Sequence, residues 1–239
     1  MNRWFRRLAG LACLSLLVVG LIRFYGQRSL PVFCGRPQTG FVLVIDPGHG
    51  GEDGGAVSKN GTVESHINLA VAQRLGAVMD LYGLERVLLR EEDRSLHGEH
   101  AHTLREKKVS DIHLRVELVE GTDRAFLLSI HQNTYPNANC HGAQVFFGLH
   151  PDSEAMADRF QTVLRQGLDP ENDRVPTKIP NTVYLMNHVT CPAVLVECGF
   201  LSTPAEEARL VSPDYQTRLA LCLASAYLTQ EETKKGESS

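Results

Sequence analysis

Three patterns that would each point to a binding function are missing from this 239-residue chain. No stretch clusters Lys and Arg between aromatic residues, and the formal net charge is −4. Because phosphate binding needs such a basic surface, we expect no nucleic-acid partner. The nucleotide-binding pattern GxxxxGK[ST] does not occur either. No two cysteines form a CxxC pair, which argues against a zinc knuckle or a thioredoxin-like redox site.

The segment 1–23 has the pattern of an export signal. Arg3, Arg6 and Arg7 precede the uncharged apolar run Leu8–Ile22. The run is shorter than the roughly 20 residues that span a bilayer, and no good A-x-A-like cleavage site follows it. Two outcomes stay open, a cleaved signal peptide and a retained membrane anchor, of which we favour the anchor. Arginines on the cytoplasmic side would leave the rest of the chain outside the cytoplasm.

The rest of the chain divides by composition. Residues 24–40 mix Gly, Pro and polar residues without periodicity, which is typical of a linker. Residues 41–228 are predicted to form one domain, in a chain of ordinary globular composition with 43% hydrophobic and 22% charged residues. Residues 229–239 are polar and charged, as expected of a flexible tail.

Short apolar runs alternate with helical periodicity along the predicted domain. The runs have the length and continuous apolarity of strands covered on both faces: Phe41–Ile45, Arg86–Leu89, Ala125–Ile130, Ala143–Phe147 and Ala193–Val196. Apolar residues recur at helical spacing in Ser65–Tyr82, Asp111–Glu120, Ser153–Leu168 and Tyr215–Leu228. A capping box with a proline predicts another helix start at Thr203. This alternation predicts an α/β layered fold with helices on both faces of a mainly parallel sheet.

Four polar residues stand where such a fold places ligand-binding side chains. His49, His131 and Glu197 follow three of the predicted strands, and Glu64 begins the helix after the first strand. Because the carboxyl ends of parallel strands meet at one edge of the sheet, we expect these side chains to be close. Two histidines and a carboxylate with an open fourth position match a catalytic zinc site. Glu197 would then accept a proton during attack and deliver it to the leaving amine.

Structural roles for the same residues stay open at this point. A single histidine after a strand is most often a hydrogen-bonded structural residue, and Glu197 could form a structural salt bridge. However, Glu197 lies between Val194–Val196 and Cys198–Phe200, and a carboxylate is costly to bury there without a charged partner. Of the remaining histidines, His141 and His188 are the two that merit re-examination.

Five segments occur in order along the domain: IDPGHGGEDGGA (45–56), GTVESHINLAVAQRL (61–75), LLSIHQN (127–133), GAQVFF (142–147) and PAVLVECGFLS (192–202). Together they resemble the zinc-dependent N-acetylmuramoyl-L-alanine amidases of the type 3 family. The resemblance extends from about residue 41 to residue 228. The stretch REKKVSDIHLRVELVEGTD (105–123) further resembles the sporulation-associated branch, which acts on spore cortex peptidoglycan.

The resemblance implies one Zn²⁺ per chain, bound by His49, Glu64 and His131, with Glu197 as the catalytic residue. The implied reaction is hydrolysis of the amide between the lactyl group of N-acetylmuramic acid and L-alanine. In the cortex branch this step precedes muramic δ-lactam formation by a separate enzyme. The family fold is a single α/β domain with a sheet of about six strands. Gln132 and Cys198 depart from the alanine and valine that are common in the family.

The resemblance also sets expectations about partners and location. The substrate would be peptidoglycan glycan strands with stem peptides, which Asn133 and Arg90 could contact, although both could equally orient loops. A helper protein for targeting is a further expectation, as is membrane attachment through segment 1–23 if it stays uncleaved. The protein would be exported, either anchored or secreted to the cell wall or the spore intermembrane space. Two rivals remain, a zinc peptidoglycan carboxypeptidase and a catalytically silent wall-binding protein.

Overall fold

A six-stranded sheet forms the centre of the computed structural model, which describes residues 40–136 and 140–229. The strands are β1 (Val42–Pro47), β2 (Arg86–Leu88), β3 (Ala125–Asn133), β4 (Gln144–Phe147), β5 (Thr177–Lys178) and β6 (Ala193–Phe200). Their order in the sheet is β2-β1-β3-β6-β4-β5. The first four strands in this order are parallel, β4 is antiparallel to β6, and β5 is parallel to β4.

Helices cover both faces of this sheet. They are α1 (Glu64–Leu81), α2 (Leu104–Glu120), α3 (Ser153–Leu168), α4 (Tyr184–His188), α5 (Pro204–Leu210) and α6 (Pro213–Leu228). Helices α1, α3 and α6 pack on one face, and α2 and α4 pack on the other. The α/β fold with a mostly parallel, six-stranded sheet and helices on both faces is therefore confirmed.

The apolar runs form central strands because both of their faces are buried. In β1, Leu43 and Ile45 belong to the core under α1 and α6, whereas Val44 belongs to the core under α2 and α4. All three side chains are fully buried. Burial of each such side chain contributes about 1.5–3 kcal/mol, so this strand is firmly held where it leads into the glycine-rich loop.

The structure differs from the sequence-based expectation at several elements. Strands β4 and β5 run antiparallel to the other four strands, and β5 and α4 have no counterpart among the predicted elements. Helix α2 begins at Leu104 rather than Asp111, because Thr103 and Glu106 form a capping box. The helix start predicted at Thr203 is confirmed, since α5 begins at Pro204, but the capping box there is wrong. The Thr203 hydroxyl donates to the carbonyl of Cys140 and makes no cap hydrogen bond.

The predicted export segment and tail fall mainly outside this description. Residues 1–39 hold the segment 1–23 and nearly all of the linker, and residues 230–239 hold nearly all of the tail. Among the residues that are described, no helix is both long and apolar enough to cross a membrane.

Candidate metal centre

His49, Glu64 and His131 converge at the carboxyl edge of the sheet. Strands β1 and β3 are parallel neighbours, with Pro47 in register with Ile130, so the residues that follow on each strand meet. One ligand-type atom from each of the three side chains lies within 4.8 Å of the other two. Oε1 of Glu64 is 3.0 Å from Nδ1 of His131, and its Oε2 is 3.4 Å from Nε2 of His49. This is the arrangement that strand-end reasoning predicts.

The Glu64 carboxylate is held in place by several N–H donors. The backbone N–H of Ala56 donates to Oε2 at 2.8 Å. The backbone N–H of Gln132 donates to Oε1 at 3.0 Å, and the Asn68 amide donates to the same oxygen at 3.3 Å. An ionised carboxylate has about four acceptor sites, so these bonds fix its orientation and leave capacity for a cation.

The charges of these groups support one another. Burial alone would raise the pKa of the Glu64 carboxyl, but His131 and His49 outweigh it and hold this pKa well below its usual range. Burial would lower the pKa of His49, but hydrogen bonds to Asp53 and Glu64 raise this pKa to about 9. Nδ1 of His49 donates to Asp53 at 3.0 Å, which leaves Nε2 as the ring atom facing Glu64.

Two glycines make room for these side chains. A Cβ atom on Gly48 would overlap the imidazole ring of His131. A Cβ atom on Gly55 would meet Oε2 of Glu64 and the ring of His49, and Gly55 also has a φ of +71°. The glycine-rich loop therefore lets the backbone approach the site closely.

A buried arginine holds the loop that carries His49. His49 itself has a φ of +62°, a left-handed conformation that costs a non-glycine residue roughly 1–2 kcal/mol. Arg115 of α2 forms a buried ion pair with Asp46. Its guanidinium also donates to the carbonyl oxygens of Pro47 at 3.0 Å and His49 at 2.7 Å. These contacts stabilise the strained loop conformation.

Arg90 lies on the same loop from another side. It is 1% exposed, and its guanidinium donates to the carbonyl oxygens of Pro47 (2.9 Å), Gly48 (3.1 Å) and Ser65 (2.9 Å). Sequence reasoning leaves open whether Arg90 contacts substrate or orients a loop. These contacts favour the loop-orienting role.

Glu197 lies beside the three converging residues but has a different environment. It is in register with His131 on the neighbouring strand. Its Oε2 is buried and has no hydrogen-bond partner. Burial and the nearby Glu64 carboxylate outweigh the attraction of His131 and His49 and raise the pKa of Glu197 to about 7. A buried carboxylate oxygen without a protein partner is rare, and a catalytic role is one explanation for it.

The donor set fits a zinc ion. Two imidazole nitrogens and one carboxylate oxygen are the protein ligands of many catalytic zinc sites, which keep a fourth position open. Here Glu197 is in register with His131 on the neighbouring strand, and its Oε2 has no hydrogen-bond partner. The geometry therefore brings together all four residues that the sequence suggested for metal chemistry.

Comparison with known proteins assigns the family. The family model described as N-acetylmuramoyl-L-alanine amidase matches residues 43–228. The chain belongs to the N-acetylmuramoyl-L-alanine amidase family. It is 35% identical over 202 residues to the germination-specific N-acetylmuramoyl-L-alanine amidase of Bacillus subtilis, covering 84% of each chain.

Solved structures of amidases have the same fold. The structure of the CwlD amidase from Clostridioides difficile, in complex with the GerS lipoprotein, is 32% identical with a TM-score of 0.75. The match covers 79% of this chain and 98% of the CwlD chain. An N-acetylmuramoyl-L-alanine amidase from Clostridium difficile 630 is 27% identical with a TM-score of 0.68, over 79% of this chain and 95% of that one.

Membership of this amidase family decides the reaction. The chain is an N-acetylmuramoyl-L-alanine amidase, a hydrolase of peptidoglycan, as the sequence resemblance implies. The carboxypeptidase and the silent wall-binding protein are therefore not retained. The amidase family is generally zinc-dependent, and the structure contains a His/Glu/His group that could hold a metal ion. Because its substrate is the cell wall, the amidase acts outside the cytoplasm.

Other residues of this amidase are placed less centrally. Asn133 ends β3 beside the site and is half-buried, so its predicted substrate contact stays a prediction. His141 and His188 are exposed and bond to Asp169 and to the Tyr184 carbonyl, respectively. Neither belongs to the metal-type group.

Sequence reasoning missed two supporting residues of the amidase site. Arg115 lies on a predicted helix and reaches Asp46 across 69 positions, so no local pattern reveals it. Asp53 stands four residues after His49 in the glycine-rich loop. A carboxylate so near a metal-type histidine is the usual partner of its second ring nitrogen, and this signal could have identified it.

Proposed function

We propose that this amidase binds one Zn²⁺ through His49, Glu64 and His131 and uses Glu197 as its general base and acid. The supporting observation is the convergence of the three ligand-type atoms within 4.8 Å beside the unpaired, buried oxygen of Glu197. A purely structural role for the same residues would not explain a buried, unpaired carboxylate oxygen beside them.

The chemistry divides between the ion and the protein. A zinc ion held by His49, Glu64 and His131 would supply polarisation of the scissile carbonyl and activation of the attacking water. Glu197 accepts a proton from that water as the water oxygen bonds to the lactyl carbonyl carbon. Glu197 then delivers the proton to the nitrogen of L-alanine as the carbon–nitrogen bond breaks. The products are a free lactyl carboxylate on the glycan and a stem peptide with a free amino terminus.

The proposed substrate is spore cortex peptidoglycan. The 35% identity to a germination-specific amidase over 84% of each chain supports this branch of the family. Removal of stem peptides there would leave muramic acid residues free for δ-lactam formation by a separate enzyme. We propose that Asn133, at the end of β3, contacts the glycan or the peptide.

The proposed location is the outer face of a membrane or the cell wall. The apolar segment 1–23 supports export, and we favour its retention as an anchor. A helper protein is part of the proposal, because a 32% identical relative has been solved in complex with a lipoprotein. Such a partner would supply targeting to the cortex.

The test compares the wild type with Glu197→Gln on denuded cortex glycan. Mass analysis of wild-type products should find peptides that begin with L-alanine, and a chelator should abolish their release. Glu197→Gln keeps the shape of the side chain but cannot accept a proton, so we expect activity to fall by about 10²–10⁴-fold.

Measuring zinc content separates the role of the proposed zinc ligands from the role of Glu197. Glu197→Gln should retain about one zinc per chain, measured by atomic absorption after dialysis. Glu154→Gln, on the exposed side of α3, is the matched control and should behave as the wild type. Full activity in a zinc-loaded Glu197→Gln protein would contradict the proposed catalytic role.

A further inference from the structure

The turn between the glycine-rich loop and Glu64 is closed on itself. Val57 and Val63 form an antiparallel bridge, and the backbone N–H of Ser58 donates to the carbonyl of Thr62 at 2.9 Å. The N–H of Gly61 donates back to Ser58 at 3.1 Å. We call residues 57–63 the ligand turn, because it leads directly into Glu64.

Ser58 organises the interior of the ligand turn. Its hydroxyl oxygen accepts the backbone N–H groups of Asn60 at 3.1 Å and Thr62 at 3.0 Å. A serine hydroxyl has two acceptor positions and one donor. The remaining donor goes to Oε1 of Glu207 at 2.5 Å, so the hydrogen-bonding capacity of Ser58 is filled.

Glu207 binds the ligand turn from helix α5, almost 150 positions along the chain. Besides the Ser58 bond, its Oε1 accepts the hydroxyl of Thr62 at 2.6 Å, and its Oε2 accepts the amide of Asn60 at 2.8 Å. The side chain is 6% exposed. Three donors from one short turn therefore converge on a single buried carboxylate. Such charge-assisted hydrogen bonds are about twice as strong as neutral ones.

The ligand turn is coupled to the Glu64 carboxylate through Ala56. The backbone N–H of Glu64 donates to the carbonyl of Ala56 at 2.9 Å. In return the N–H of Ala56 donates to Oε2 of Glu64 at 2.8 Å. Because Val57 is the next residue, a displacement of the turn would move both the backbone of Glu64 and the donor that orients its carboxylate.

We propose that Glu207 is a positioning residue for zinc binding, which acts by fixing the turn that orients Glu64. The inference rests on the proposed function, in which Glu64 is a zinc ligand. Residues that orient metal ligands typically contribute 10–100-fold to metal affinity. We therefore expect Glu207→Gln to weaken zinc binding by about tenfold or more. Glutamine replaces one acceptor oxygen with an NH₂ group, which cannot accept a hydrogen bond from the donors of the ligand turn.

Glu206 provides a matched control on the same helix. It is also buried, at 3% exposure, but its contacts go to the backbone N–H groups of Gly142 and Phe200 and to Arg209. None of these groups belongs to the ligand turn. Glu206→Gln should therefore destabilise the protein while leaving its zinc affinity within about twofold of wild type.

The experiment measures zinc affinity of the metal-free variants by competition with a chromophoric chelator, at a temperature where all are folded. Thermal unfolding is recorded in parallel. The double variant Ser58→Ala/Glu207→Gln should have the same zinc affinity as whichever single variant binds zinc less tightly. Both changes break the same contact between Glu207 and the ligand turn, so their effects should not add. Ser58→Ala and Thr62→Val alone supply the same information if Glu207→Gln fails to fold.

Two results distinguish failure of this inference from failure of the proposed function. Weak zinc binding in Glu64→Gln, together with wild-type affinity in Glu207→Gln, Ser58→Ala and Thr62→Val, would overturn the positioning role alone. Wild-type zinc affinity in Glu64→Gln would instead contradict the ligand set itself. A comparable loss of affinity in Glu206→Gln would also overturn the role, because it would reflect general destabilisation.

Discussion

Two carboxylates flank His131, the buried Glu64 and the half-buried Glu197, and their surroundings differ. Glu64 accepts N–H groups from Ala56, Gln132 and Asn68, and His131 and His49 hold its pKa well below the usual range. The Oε2 atom of Glu197 has no hydrogen-bond partner. Burial is the main cause that raises the pKa of Glu197 to about 7. The two groups are close enough for the charge of Glu64 to affect Glu197.

The comparison shows that hydrogen bonds to His131 and His49, which Glu64 makes and Glu197 lacks, separate the two glutamates. A carboxylate with such histidine partners stays ionised and is ready to bind a cation. A carboxylate that lacks them takes up and releases a proton near neutral pH, which is what a general base requires. The same chemical group is thus suited to two roles within one site.

The largest effect expected on the Glu64 side is loss of zinc. Glu64→Gln removes the anionic ligand, so we expect zinc affinity to fall by more than about a hundredfold, with activity lost for that reason. Chelator competition measures the affinity. Glu197→Gln is the counterpart and should bind zinc within a few-fold of wild type. Equal zinc loss in both variants would remove the distinction between the two carboxylates.

A third carboxylate, the buried Asp46, sharpens the comparison because its partner is a cation. Burial alone would raise its pKa, but Arg115 outweighs this and holds the pKa below its ordinary value. Asp46→Asn removes one of the two anions of the buried Arg115, which keeps only Asp111, so we expect a loss of about 1–3 kcal/mol in unfolding free energy. Urea unfolding at pH 7 measures it, and Glu154→Gln should stay within about 0.5 kcal/mol of wild type. A loss below about 1 kcal/mol would contradict this account.

The last effect is a dependence of stability on pH. A carboxyl whose pKa is about 7 when folded and 4.5 when unfolded keeps its proton longer in the folded state. Stability of the metal-free protein should therefore fall as the pH rises from about 4.5 towards 7, by about 2 kcal/mol. We restrict the measurement to pH 4.5–6.5, because the raised pKa of His49 adds its own loss of stability above that range.

Glu197→Gln should remove this part of the pH dependence. Urea unfolding of chelator-treated wild type and variant at several pH values gives the two slopes. The wild type should lose more stability than Glu197→Gln as the pH rises. Equal slopes would mean that Glu197 ionises as readily in the folded chain as in the unfolded one.

Much of the site could be predicted because its residues occupy special positions along the chain. The apolar runs identify the central strands, and His49, His131 and Glu197 follow these runs, although β3 and β6 continue past His131 and Glu197. Strand β5 could not be found this way, because Thr177 and Lys178 are both exposed and form no apolar run. Helix α4 is only five residues long, which is too short for helical periodicity to appear.

The supporting contacts could not be predicted, because they join distant parts of the chain. Arg115 reaches the His49 loop from α2, and Glu207 reaches the ligand turn from α5. Thr203 and Glu206 match a capping box in sequence, but tertiary partners take up both side chains. Local patterns predict which polar residues follow an apolar run, whereas the groups that orient those residues depend on the assembled fold.

The closeness of Gly48 to His131 has a practical consequence. Gly48 is buried, and any side chain at this position would have to displace the imidazole ring. Gly48→Ala would therefore disable the amidase by displacing His131, without replacing any exposed residue. Such a variant would be a reagent for separating what the protein does as a catalyst from what it does by being present at the wall.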